Sequence, residues 1–129
     1  MEDLKALESV QRRWTKQIKG FDSLEYPDRL AALRLFSVKG RLLRTDIIYC
    51  WKIFHGKCGV SPDQIFTLSH SSTRGHSFKI YHVRSTIDVR QRFFSVRIVP
   101  VWNSLPDNVV SSTTYFSDFQ NCPSFPYDL

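Results

Sequence analysis

The stretch Val38–Phe54 constrains this chain more than any other. Leu43, Ile47, Cys50, Trp51 and Phe54 recur at helical spacing and form one apolar stripe. Leu42, Tyr49 and Ile53 widen that stripe to more than half the circumference. A helix so broadly apolar is contacted from two sides, which makes it the expected central element. Arg41, Thr45 and Lys52 mark its wet edge, and Gly56 and Gly59 stop it.

The rest of the chain reads as shorter elements around that helix. Leu4, Leu7, Val10, Trp14 and Ile18 predict an amphipathic helix over residues 2–19 with these side chains turned inward. Its acids come first (Glu2, Asp3) and its bases last, as the helix dipole favours, and Gly20 follows as a C′ residue. Arg12, Arg13 and Lys16 fall on the opposite side. That side is ordinarily a solvated face; the alternative is a phosphate-binding face. Pro27 opens a short helix over 28–35 with Leu30 and Leu33 inward. Ser61-Pro62-Asp63 caps a short helical turn, from which Ile65, Phe66 and Leu68 pack back.

Past a polar loop over 70–75 the period changes. Ser77–Arg84 alternates Phe78, Ile80 and Tyr81 or His82 with polar residues, the pattern of a strand or one arm of a small hairpin. Asp88 then caps a helix over 89–104 with Phe94, Ile98, Val101, Trp102 and Leu105 on one face. Pro100 falls inside it and should kink it or split it in two. Leu105-Pro106-Asp107 reads as a turn, and Thr113 or Thr114 caps a last helix to about Gln120. The expected class is therefore mainly α: one small helical domain over residues 1–120 with a minor β-hairpin or strand element, and a frayed tail over 121–129.

Composition narrows the function classes. The chain has 129 residues, enough for one modest core, and a formal charge of +6, which favours an anionic partner such as nucleic acid. No run is apolar enough to span a bilayer and no secretory signal opens the sequence, so no membrane partner is expected. Three cysteines without paired spacing (Cys50, Cys58, Cys122) point to reduced thiols in the nucleus or cytoplasm. The five glycines fit neither a phosphate loop nor a dinucleotide turn, and the carboxylates are scattered. Cys50, His55 and Cys58 stand at C-x4-H-x2-C, with His70 and His76 further on, but Cys50 lies on the apolar stripe and the paired C-x2-C signature of zinc is missing. Cys58 with His55, and Ser77 beside His76, lack any nucleophile motif. His55, at a helix end, suits a capping role. No catalytic residue, metal site or cofactor is assigned.

What remains is the basic, aromatic-laced stretch over 74–110. Up to Arg97, the cations Arg74, Lys79, Arg84, Arg90, Arg92 and Arg97 are set against a single acid, Asp88, and the stretch interleaves Phe78, Tyr81, Phe93, Phe94 and Trp102. Cations between aromatics are the composition of a surface that tracks a phosphate backbone and stacks bases. Phe94 and Trp102 belong to the inward face; Phe78, Tyr81 and Phe93 are free to be exposed. The six cations, with Arg12, Arg13 and Lys16, are the candidate nucleic-acid-binding residues.

Several blocks occur in a recognisable order: Leu7-Glu8-Ser9-Val10-Gln11-Arg12-Arg13; Tyr26 with Arg29-Leu30 and Leu33; Arg41-Leu42 with Asp46; Phe54-His55-Gly56-Lys57; Thr73-Arg74-Gly75-His76-Ser77; Asp88-Val89-Arg90 with Phe93-Phe94-Ser95 and Arg97-Ile98-Val99; Trp102-Asn103-Ser104-Leu105-Pro106. In that order they resemble the C-terminal region, downstream of the polymerase core, of reverse transcriptases from non-LTR (LINE-type) retrotransposons of the jockey and chicken-repeat kind. Arg-Gly-His-Ser and Trp-Asn-Ser-Leu-Pro are the most specific blocks. The resemblance implies that polymerisation chemistry lies in parts this chain lacks, so it is not an enzyme on its own. It also implies a role in holding template RNA or target DNA, with the remainder of a reverse transcriptase as a further partner. The alternatives are a structural packing module without binding activity, or a degraded, non-functional remnant. Pro100 and the stretch 120–129 depart from the family pattern, and Met1 falls inside what would be a continuous polyprotein; both fit a degraded copy or a truncated frame.

Overall fold

The central helix forms where its apolar stripe places it. The computed structural model describes residues 2–70 and 75–113, and in it α3 spans Val38–Phe54. The chain is mainly helical: α1 Glu2–Lys16, α2 Tyr26–Leu33, α3, α4 Pro62–Ile65, α5 Asp88–Gln91, α6 Phe94–Arg97, α7 Val99–Ser104 and α8 Asp107–Val110. The minor β element is one isolated antiparallel bridge between Leu68 and Ile80. The residues gather into two units, one ending at Arg44 and the other beginning at Thr45, so the division falls within α3. The expectation of a last helix to Gln120 and of a tail over 121–129 lies outside the described residues.

In the first unit α1 follows its charge pattern but not its apolar stripe. Leu7, Val10 and Trp14 are 55%, 64% and 63% exposed, which corrects the expectation that they turn inward. At about 100° per residue, Glu8, Gln11 and Thr15 lie roughly a quarter-turn round the helix from that stripe, and they are the residues that pack. Glu8 accepts a bond from the Tyr26 hydroxyl with one oxygen and from the Val38 N–H, at 2.8 Å, with the other. Its carboxylate thus caps α3 from another helix, where the dipole favours negative charge. Gln11 donates to the Phe36 carbonyl (3.0 Å) and accepts from Arg41. Arg29 is buried, donating to the Thr15 hydroxyl (3.4 Å) and the Leu24 carbonyl with its guanidinium over the Tyr26 ring. Hydrogen bonds have directions to satisfy and apolar contact does not, so this polar network sets the rotation of α1.

The second unit has the apolar core. Ile47, Cys50, Trp51 and Ile53 of α3 are buried with Phe66, Ile80, Ile98, Val99, Trp102, Leu105, Val109 and Val110. Phe54 stacks between Phe66 (5.9 Å) and Trp102 (5.2 Å), each 9° from parallel, and meets Phe78 edge-on at 5.6 Å. Phe78 is therefore half-buried packing rather than an exposed aromatic, a correction to its expected role. Leu42 and Tyr49 of the widened stripe are exposed. Ile53 of that widened stripe is buried, as is Trp51 on another side of the helix.

The expected helix over 89–104 is broken twice, giving α5, α6 and α7. Phe93 is extended (φ −64°, ψ 142°), which breaks the ladder before α6. Pro100 falls in the first turn of α7, where a missing N–H costs no helical bond. Asp88 does not cap: it is the first helical residue and pairs with Arg92 at 2.5 Å. Pro106 opens α8, whose Val109 and Val110 complete the core where only a turn was expected.

The Tyr26 hydroxyl is pushed up to about 12, first by burial and then by its bond to the Glu8 carboxylate and that group's charge. The fold favours the neutral phenol, so this contribution is complete below pH 10, the unfolded value, and is lost as pH rises through about 12. Chemical denaturation from pH 9 to 12 should show stability falling in the wild type by more than in Tyr26→Phe; equal slopes would contradict the network.

Candidate nucleic-acid interface

The segment after Gly75 is built by a clasp to α7. Gly75 has φ +118°, a backbone conformation that side-chain-bearing residues rarely adopt, so the position favours glycine. His76 turns inward and is buried, donating from Nε2 to the Trp102 carbonyl at 3.0 Å. A carbonyl only accepts, so the proton sits on Nε2 and Nδ1 is left buried without a partner. Trp102 in turn donates from its indole to the Phe78 carbonyl at 2.8 Å.

Asn103 completes the clasp. In the Leu68–Ile80 bridge the bonds run from Ser69 N–H to the Lys79 carbonyl (3.0 Å) and from Tyr81 N–H to the Thr67 carbonyl (2.7 Å). This is the non-hydrogen-bonded pair of an antiparallel ladder, so Ile80 points its own N–H and C=O away from that neighbour. The Asn103 amide takes both, accepting from the N–H at 3.0 Å and donating to the C=O at 2.7 Å. One side chain stands where the next strand would be. The Gly-His-Ser part of one specific sequence block and the Trp-Asn of the other meet here, as the device that fixes residues 76–80.

Beyond the clasp the chain presents cations and rings to solvent. Tyr81 and Phe93 are 60% and 57% exposed, and Ile87 and Val89 are exposed between them in sequence. A cleft of about 510 Å³ is lined by His82, Arg84, Gln91, Arg97 and Pro100, among others. Gln91 donates to the Ser85 carbonyl (2.7 Å) and holds the wall of the cleft. Arg97 crosses to Asp46 with two bonds of 2.8 and 2.9 Å and also donates to the Arg92 carbonyl at 2.8 Å. Asp46 accordingly raises the pKa of Arg97 through that hydrogen bond.

The six cations of this stretch divide by partner. Arg92 and Arg97 are committed to Asp88 and Asp46. Lys79 lies along Gly75. Arg84 and Arg90 are exposed and form no ion pair among the described residues. Arg74 lies outside the described residues. Arg12, Arg13 and Lys16 are exposed on α1 in the other unit, with Arg12 over the Tyr26 ring at 4.8 Å. His82 and Gln91 were not among the expected site residues. Their only sequence signal is position beside Arg84 and Arg90.

Of the cysteine and histidine candidates, Cys50 and His76 are buried, and His55 and His76 bond to backbone carbonyls. Burial pushes the Cys50 thiol far up, so it stays protonated, and Cys58 is half-buried. His55 stacks on Trp51 at 4.0 Å and donates from Nδ1 to the Trp51 carbonyl at 2.9 Å, the helix-end role expected of it. Among the described residues no three of His, Cys, Asp and Glu stand together as a metal site, and no helix is long and apolar enough to cross a membrane. Comparison of the chain with protein-family models, with curated proteins and with solved structures finds no match.

Asn103→Ala should cost about 1–3 kcal/mol for each Ile80 backbone group left buried without a partner. Asn103→Asp keeps the acceptor but sets a carboxylate oxygen against the Ile80 carbonyl, and should cost at least as much. Urea denaturation measures both; an alanine variant as stable as wild type would contradict the clasp.

Proposed function

We propose that the chain is a non-catalytic nucleic-acid-binding module, and that residues 81–93 carry the contact. The observation behind this reading is the pairing of two uncommitted guanidinium groups, Arg84 and Arg90, with two exposed rings, Tyr81 and Phe93. Guanidinium groups make charge-assisted, bidentate bonds to phosphate oxygens, and exposed rings stack on unpaired bases of any sequence. Single-stranded RNA or DNA offers both partners at once. Arg92 and Arg97 act as braces, since their charges are met internally.

The ordered blocks that resemble the C-terminal region of non-LTR retrotransposon reverse transcriptases support the same reading. By that resemblance the polymerase chemistry belongs to segments of a longer protein, and this region helps to hold template RNA or target DNA. The net charge of +6 agrees with an anionic partner.

Fluorescence anisotropy with a labelled single strand tests this. Affinity should fall with salt, the slope of log K against log salt being about −0.7 per phosphate contacted. Arg84→Glu with Arg90→Glu should weaken binding at least about tenfold, through two lost charge-assisted bonds, and leave stability unchanged. No binding at low salt, or binding indifferent to salt and to both substitutions, would overturn the proposal.

A further inference from the structure

The cleft beside residues 81–93 has the composition of a nucleotide site. It holds about 510 Å³, inside the range of about 300–1,000 Å³ typical of small-molecule sites. Val83, Val96 and Pro100 give it apolar surface, and Arg84 and Arg97 stand among them. No carboxylate is among the described residues that line it. The charge of Arg97 is met by Asp46, whereas Arg84 forms no ion pair among the described residues. Apolar surface beside one uncompensated cation suits an occupant with an apolar body and an anionic group next to it.

Two sides of the cleft are held in place. Gln91 donates to the Ser85 carbonyl at 2.7 Å and the Ile87 N–H donates to the Ser85 hydroxyl at 3.2 Å, which ties residues 85–91 together. Arg97 is fixed by its bonds to Asp46 and to the Arg92 carbonyl. A site already held in shape loses little freedom when it is filled. Gln91 gives one amide N–H to Ser85, so its other N–H and its carbonyl oxygen carry no bond among the described residues. A nucleobase offers donors and acceptors along the edge of a flat ring that stacks on apolar surface. A bare phosphate would leave the apolar lining unused, and an alkyl chain would leave Arg84 and the Gln91 amide unused.

We infer that this cleft takes one nucleotide of a bound single strand, with the base against Val83, Val96 and Pro100 and the phosphate on Arg84. The inference rests on the reading of residues 81–93 as a nucleic-acid contact and adds a site for one base to it. A base enters only when it is unpaired and unstacked, so the cleft selects single strand over duplex.

Cytidine monophosphate is the direct probe, with ribose phosphate as the control that keeps the charge and lacks the base. Followed by NMR on the full chain, cytidine monophosphate should move the Val83, Thr86, Gln91 and Val96 amide resonances and bind about tenfold more tightly than ribose phosphate. Thr86→Leu with Pro100→Leu fills the cleft at two exposed positions. It should remove those shifts and weaken a labelled single strand about tenfold, with circular dichroism unaltered. A duplex of the same sequence should bind more weakly than the free strand by at least about tenfold. Equal binding of cytidine monophosphate and ribose phosphate, or shifts centred outside the cleft, overturns the inference. So does a strand that binds the filled variant as tightly as wild type yet still loses affinity on Arg84→Glu with Arg90→Glu, a result that leaves the wider contact standing. A strand that binds neither protein overturns both.

Discussion

Two hydrogen bonds from one amide organise the second unit. Ile80 is buried, and its backbone has already turned its N–H and C=O away from the bridge with Leu68. Left unmatched, these two backbone groups would cost about 1–3 kcal/mol each. Asn103 satisfies both, and it can do so because Trp102 beside it is anchored by His76 and by the Phe78 carbonyl. The same residues place Phe78 against Phe54, which carries the aromatic stack back into α3. Through this clasp an irregular stretch of chain becomes a fixed platform, and residues 81–93 start from a defined point.

The first unit depends on a different economy. Its interior is a polar network around Glu8, Tyr26 and Arg29, with the apolar stripe of α1 left outside. A carboxylate capping a helix and a guanidinium meeting carbonyls are worth more than neutral bonds, and each needs one geometry. The unit gains a definite arrangement and leaves an apolar ridge uncovered among the described residues.

The sequence was legible where burial alone decides. The stripe of α3 gave its bounds and the buried positions Ile47, Cys50, Trp51 and Ile53. It also marked Phe94, Ile98, Trp102 and Leu105 as an inward face, and Tyr81 and Phe93 as outward rings. Reading failed where polar partners decide. Nothing in the spacing of α1 reveals that Glu8 will reach Val38, a residue on another helix, and so the rotation was missed. Pro100 marked a break but not the second one at Phe93, which follows from an extended backbone at that residue. For the interface, the sequence named the cations, and the i,i+4 spacing of Asp88 and Arg92 carries a local signal for their pair, but nothing local says that Asp46 would occupy Arg97. Asp46 lies far from Arg97 in the chain, and such pairs have no local signature.

Residues 81–93 as an outward face on a rigid clasp is the claim on which the functional account rests. Backbone amide chemical shifts, followed by NMR while a short single-stranded oligonucleotide is added, test it most directly. The account predicts movement of the Tyr81, Arg84, Arg90 and Phe93 resonances, with His76, Ile80 and Asn103 holding still. Shifts centred on the clasp or on α1, with residues 81–93 unmoved, would contradict it.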